Sequence, residues 1–234
     1  MAIEIEDYWL IKKLCNDHHL SGNVLILGDC YYHFNHKDIG IEKKSDIQTD
    51  VFINTLGFNS VETVDVVGSP SFKFDLQAEL PENFKNKYDI IIDSGTLCCC
   101  FDVSLVLKNL HLLLKDNGHV FHFSYFVGFF GRGYYSFQPN FFQDYFKVNG
   151  YNLTYLGLRK KTKYSGFIRK IFRYRFLWRQ MKDNASYFDG DTLSEKHYKD
   201  PSMISNNMVI GAFAQKNNSS NEIIMPTPLL VNEV

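Results

Sequence analysis

The stretch from Tyr88 to Phe123 constrains this chain more than any other. It opens with the apolar run Ile90-Ile91-Ile92 and passes a turn signal at Ser94-Gly95. A helical pattern follows, then a stop at Asn117-Gly118 and a second apolar run. Apolar residues at Val103, Leu107, Leu110 and Leu114, widened by Val106 and Leu113 against Lys108 and Lys115, predict an amphipathic helix. Asp102 or Ser104 is placed to cap its start, and Gly118 suits a left-handed residue beyond its end. An unbroken apolar run marks a strand buried on both faces, hence a parallel sheet covered by helices. Ligands of such sheets bind beyond the carboxyl ends of the strands, which is where Asp93-Ser94-Gly95-Thr96 falls.

At 234 residues the expectation is one α/β domain with an insertion. No apolar run is long enough to span a membrane. The N-terminus, with Glu4, Glu6 and Asp7, has no basic region leading an apolar one, so a cytoplasmic setting is expected. Three of the five cysteines are consecutive, Cys98 to Cys100. That is a poor disulfide framework, so the cysteines read as small buried residues in a reducing compartment. His18, His19, His33 and His36 lack further ligands in a zinc pattern, so no metal is expected. The net charge of −1 conceals an asymmetry. Ten of the 25 basic residues lie between Arg159 and Lys182, where no acidic residue occurs, so the rest of the chain carries −11.

In chain order, residues 1–22 form an N-terminal helical segment whose Tyr8, Trp9, Ile11, Leu14 and Cys15 pack on the sheet or cover the site. Asn23 to Leu27 is a buried-type strand ending in Gly28-Asp29, and Gly28 lets the backbone turn sharply against a ligand. A helix from Asp46 to Leu56, stopped by Gly57, leads to a strand at Val61–Val66 with Asp65 near its end. A short strand at Phe72–Leu76 follows, carrying Asp75. Gly28, Asp65, Asp75 and Asp93, at four strand ends, would line one crevice. After a strand at Gly118–Ser124, Tyr125 to Pro139 sets three glycines among aromatic residues, a composition suited to a mobile cover over a substrate or to core filling. Arg132, between two glycines, belongs outside the core. A helix at Phe141–Val148 and strands at Leu153–Leu158 and Met208–Ala214 complete the domain at residue 216. The tail, 217–234, is expected to run over the surface.

This order of elements over Asn23 to Lys216 resembles the class I S-adenosylmethionine-dependent methyltransferases. It implies an α/β fold: a Rossmann-like, seven-stranded, mostly parallel sheet with helices on both faces and an antiparallel last strand. Leu113-Leu114-Lys115-Asp116-Asn117-Gly118 matches the family's helix ending before the fifth strand. The resemblance implies S-adenosylmethionine as cofactor, held by Gly28 and Asp29, Asp65 at the ribose, Asp75 and Leu76 by the adenine, and Asp93 and Ser94. The chain is similar to a bacterial subgroup with a Gly-His-Gly-x-Tyr-x-Phe-x-Pro segment, matched here by Gly131, Gly133, Tyr135, Phe137 and Pro139, with Arg132 in place of histidine. Cys98-Cys99 stands where a Glu-His pair commonly follows Gly-Thr-Leu. With Arg132 in place of histidine and Cys98-Cys99 in place of Glu-His, the candidates left for catalysis are Tyr135, His122 and Asp93, His122 reading also as a packed strand residue, while Arg132 and Tyr135 are those for substrate binding. Arg132 stays protonated, so it would clamp rather than take a proton.

With no Asn-Pro-Pro-Tyr segment after the fourth strand, nucleic acid is disfavoured, and a hydroxyl or carboxyl of a saccharide or other small molecule is the expected acceptor. The alternative is a binding protein of the same fold that has lost catalysis. Between about 159 and 200 lies a basic aromatic insertion. Its Phe167, Ile171, Tyr174 and Trp178 predict a basic amphipathic helix within Leu158–Gln180. Such a helix can lie on an anionic membrane, placing the protein peripherally there, grip a phosphate-rich or lipid-linked substrate, or pack its stripe on the domain.

Overall fold

The computed structural model describes residues 2–41, 47–58, 60–160, 178–180, 207–217 and 219–227. Five strands run parallel at the centre and one side of the main sheet: β2 (Asn23–Leu27), β4 (Ser60–Asp65), β5 (Phe72–Lys73), β6 (Tyr88–Asp93) and β7 (Leu114–Val127). β10 (Met208–Lys216) lies antiparallel between β7 and β8 (Tyr151–Lys160). The order is β5-β4-β2-β6-β7-β10-β8-β9, so the seven expected strands are present. An eighth, β9 (Trp178–Gln180), pairs antiparallel with β8 at the edge. A separate parallel pair joins β1 (Ala2–Ile3) to β3 (Tyr31–Tyr32). Among the described residues no helix is long and apolar enough to cross a membrane.

Alternation on the central strands explains their unbroken apolar sequence. Leu25, Leu27 and Ile91 face a layer containing α3 (Val103–Leu113) and α4 (Pro139–Val148), where Val106, Leu110, Phe142 and Phe146 are buried. Val24, Ile26, Ile90 and Ile92 face the other layer, with Tyr8, Ile11 and Leu14 of α1 (Ile5–Asp17) and Phe52 and Ile53 of α2 (Thr49–Thr55). Each such side chain contributes about 1.5–3 kcal/mol on burial. The N-terminal helix thus packs on the sheet. It is further tied by Arg159, whose guanidinium grips Asp7 through Nε at 2.7 Å and a terminal nitrogen at 2.6 Å, both residues being buried. The first residue of the basic run therefore works as an internal ion-pair partner.

Several expectations are corrected. Asp102, not Ser104, caps α3, accepting from the Leu105 amide at 3.0 Å. Gly118 does not end it: the chain passes directly into β7, and the left-handed residue is Asn117, at φ 61°. The carbonyls at the end of α3 are instead met from β10, where the Lys216 ammonium, 1% exposed, donates to His111 and Leu114 at 2.9 and 3.0 Å. A cation there also opposes the negative end of the helix. β7 reaches Val127, absorbing the first residues of the expected loop, and β5 stops at Lys73, leaving Asp75 in a turn. In the basic segment, Leu158–Lys160 and Trp178–Gln180 are strand, not helix, while 161–177 lie outside the described residues. Of the tail, the described residues 219–227 are docked through Ile224, whose amide and carbonyl both bond Asn149, while the His111 Nε2 donates to the Ser220 carbonyl at 2.6 Å.

Two outcomes follow. Lys216→Ala strands two buried carbonyls, and equilibrium urea unfolding should record a loss of about 2–4 kcal/mol. Burial holds the His111 imidazole below its ordinary 6.5. The neutral ring is thus the folded form, and its contribution is complete above pH 6.5 and is lost as the pH falls below it. Limited proteolysis between residues 217 and 227 should accelerate on acidification through that range, and in His111→Gln at neutral pH.

Candidate functional site

Parallel register brings the expected site residues to one edge. Leu27 pairs with Val64 on one side and Asp93 on the other, and Asp93 with His122, so the strand ends share one rung. Just beyond it, Gly28 takes φ 82°, a region glycine enters without strain, and its amide bonds the Val64 carbonyl at 2.7 Å. Asp65 is half-buried. One of its oxygens accepts from the Asp29 amide at 2.8 Å, the other from Val66 and Val67 at 2.7 and 3.2 Å. The Asp29 side chain is exposed beside Gly68, where an added Cβ would meet it at 3.1 Å. Val66 and Val67 stand 50% and 63% exposed, an apolar shelf next to the Asp65 carboxylate. Asp75 is exposed and accepts from the Gln77 amide at 2.9 Å, whereas the Leu76 side chain is in the core.

Asp93 and His122 bond each other below the strand ends, and His122 takes the packed strand position that was one of its two readings. The Asp93 carboxylate is fully buried, with one oxygen accepting from the Gly95, Thr96 and Leu97 amides and the other from His122 Nδ1 at 2.9 Å. His122, 2% exposed, packs against Phe142 and Phe146. Neither is open to a ligand, which a catalytic base would have to be. Ser94 shares a hydrogen bond of 2.9 Å with Cys30, whose thiol burial pushes up to about 11.

The Asp93 turn carries the aromatic loop. Cys98, at the turn, accepts at its carbonyl from the Tyr134 and Tyr135 amides at 2.8 and 3.2 Å. Gly133 permits this approach, since a Cβ there would lie 2.8 Å from that oxygen. Gly133 thus answers to backbone contact, whereas Gly131, at φ 71°, has open space where a Cβ would stand. Arg132 is exposed, and Tyr135, 37% exposed, donates to the Phe101 carbonyl at 2.9 Å. Tyr135 also lines a cavity of about 640 Å3 between the starts of α3 and α4; Arg132 does not. The structure therefore brings Tyr135 to the wall of a cavity and leaves Arg132 outside it.

Two positioning residues escaped the sequence reading. Gln77 accepts from the Phe101 and Asp102 amides at 2.7 and 3.0 Å, joining the loop after β5 to the start of α3. Asn109 donates to the Leu76 and Ala78 carbonyls at 2.8 and 2.7 Å. A signal existed for Asn109, a polar residue within the apolar stripe of Val106, Leu110 and Leu113, which must find a partner when buried; Gln77 has none.

Cys99 departs from the buried role expected of the cysteines. It is exposed, whereas Cys15, Cys30, Cys98 and Cys100 are buried. A hydrogen bond from the Cys98 thiol holds Cys99 down to about 7, while Cys98 itself is driven far up. Burial raises Cys15 and Cys100 to about 12. Iodoacetamide at pH 7.5 should therefore alkylate Cys99 well ahead of the other four, as peptide mass mapping of native protein would record.

No protein-family model and no curated protein sequence matches the chain. Among solved structures it is similar to a SAM-dependent methyltransferase from Archaeoglobus fulgidus. The match is 10% identical over 89% of this chain and 94% of that one, with TM-score 0.49. It is also similar to the 1,6-didemethyltoxoflavin-N1-methyltransferase of Burkholderia thailandensis, solved with 1,6-didemethyltoxoflavin and S-adenosylhomocysteine. That match is 12% identical over 90% of this chain and 78% of that one, with TM-score 0.49. A third likeness is the [4+2]-cyclase SpnF, 11% identical over 90% and 80%, with TM-score 0.45. Fold of this kind does not fix chemistry, so the functional reading has to come from the crevice itself.

Proposed function

We propose that the chain is an S-adenosylmethionine-dependent methyltransferase acting on a small molecule, with a hydroxyl as the acceptor atom. The observation that carries this is the Asp65 carboxylate, fixed by three backbone amides at the end of β4, beside Gly28 at φ 82° and the exposed Val66-Val67 shelf. A carboxylate with remaining lone-pair capacity suits a ribose diol, an apolar shelf suits the face of a base, and a glycine admits the backbone closely. The exposed Asp75 at the neighbouring turn extends the same crevice. When bound, the cofactor supplies an electrophilic methyl group on a sulfonium.

The chain's own contribution is binding and orientation, the main requirement for an in-line displacement. Asp65, Asp75 and Gly28 would hold the cofactor. The Asp93–His122 pair, with Ser94 held on Cys30, fixes the turn beneath it, and Tyr135, its proton committed to Phe101, offers its oxygen as an acceptor to the substrate hydroxyl. Kinship with the glycine-tyrosine subgroup belongs to this proposal and rests on Gly131, Gly133, Tyr135, Phe137 and Pro139. The carboxylates of the adjoining cavity, Asp102 and Asp144, argue against a carboxyl- or phosphate-bearing acceptor, a lipid-linked one included.

Calorimetric titration with S-adenosylhomocysteine tests the reading. Binding is expected, with a loss of about tenfold or more in Asp65→Ala and a smaller loss in Asp65→Asn, circular dichroism being unchanged. Absence of binding at millimolar ligand would overturn it. Binding without turnover of any hydroxylated small molecule in a broad panel would favour the non-catalytic binding protein.

A further inference from the structure

The cavity of about 640 Å3 beside the crevice is walled by Phe101 and Asp102 at the start of α3, Tyr135 and Phe137 of the loop, Asp144 of α4, and Pro226 of the tail. Among the described residues no lysine, arginine or histidine lines it. Asp102 is occupied in capping α3. Asp144 is different: it is 7% exposed, lies on the cavity wall, and among the described residues has no hydrogen-bond or ion-pair partner. The cation it senses is Lys147, exposed and three residues along the helix, which does not pair with it. Burial accordingly lifts the Asp144 carboxyl above its ordinary range. A nearly buried carboxyl without a partner is costly to keep for folding alone. Its helix neighbours Phe142, Tyr145 and Phe146 show that an apolar residue could be packed on the same element.

We propose that this cavity receives the protonated amine of a small-molecule ligand, with Asp144 accepting from the ammonium group and the Phe137 and Phe141 rings forming an aromatic wall beside it. Phe137 and Phe141 pack against each other, 4.4 Å apart between centroids, and both line the cavity, an aromatic surface of the kind on which cations rest. That the amine-bearing ligand is also the methyl acceptor rests on the methyltransferase reading, whereas the charge preference of the cavity rests on its lining alone. The amine is the recognition handle; the methylated hydroxyl lies elsewhere on the same molecule.

The experiment titrates the full chain with 2-phenylethylamine, 2-phenylethanol and phenylacetate at pH 7.5 by calorimetry, with and without S-adenosylhomocysteine. The amine should bind about tenfold more tightly than the alcohol, and phenylacetate should not bind measurably. In Asp144→Asn the amine and the alcohol should become equal to within about twofold, with no fall in the thermal midpoint, since an uncompensated carboxyl has been removed. Equal binding of amine and alcohol by the unaltered chain overturns the proposal, as does failure of the amine to bind at millimolar concentration. Preferred binding of phenylacetate overturns it as well, because the start of α4, uncapped by Gln138, would then govern the cavity. If Asp144→Asn does not fold, the three-ligand comparison on the unaltered chain decides. Failure of S-adenosylhomocysteine to bind while the amine binds removes the methyltransferase reading and leaves the amine site standing.

Discussion

The carboxyl edge of the sheet hangs from one buried carboxylate. Asp93 is fully enclosed, and a charge in that position is tolerated only when it is completely bonded. Three amides on one oxygen and an imidazole on the other meet that condition. The constraint propagates outward. The amides belong to the turn that presents the Cys98 carbonyl, that carbonyl holds Tyr134 and Tyr135, and Thr96 returns to the Leu27 carbonyl at 2.9 Å. The loop that shapes the ligand space is thus registered against β2 and β6 by a chain of hydrogen bonds with Asp93 at its origin.

α3 plays the complementary part on the other side. Asn109 and Gln77 fasten it to the loop after β5, Asp102 starts it, and Lys216 finishes it from the far end of the chain. Each bond is modest by itself, about 1 kcal/mol net for a neutral pair and up to about 3 with a charge. Their shared effect is geometric. The start of α3 is held between the loop carrying Asp75 and the loop carrying Tyr135, so the strand-end crevice and the side cavity can coexist without a separate domain to divide them.

Much of this was legible beforehand, because burial on both faces writes itself into sequence as runs such as Ile90 to Ile92, and glycine and aspartate at strand ends mark an edge where the backbone turns. Gly28, Asp65 and Asp75 emerged at that edge for this reason. The same logic could not show that Asp93 bonds His122, since a strand-end carboxylate reads identically whether it faces a ligand or caps a turn, and partners 29 residues apart leave no local pattern. Gly118 was misread because a helix can be terminated by a distant lysine as well as by a local left-handed glycine. Cys99 was missed since three adjacent cysteines in a short turn cannot share one environment, and composition does not say which one emerges. Asp144 drew no notice within an otherwise regular helix. Its significance appears only when the tertiary structure sets it on the cavity wall with no partner among the described residues.

Pro226 closes the side cavity, and it does so from a segment latched to α4 at Asn149 and to α3 at His111. The wall opposite, at Phe101, is far earlier in sequence. The strand-end crevice takes its residues from between 28 and 122, whereas the side cavity also needs Pro226, so the two spaces rest on different stretches of one chain.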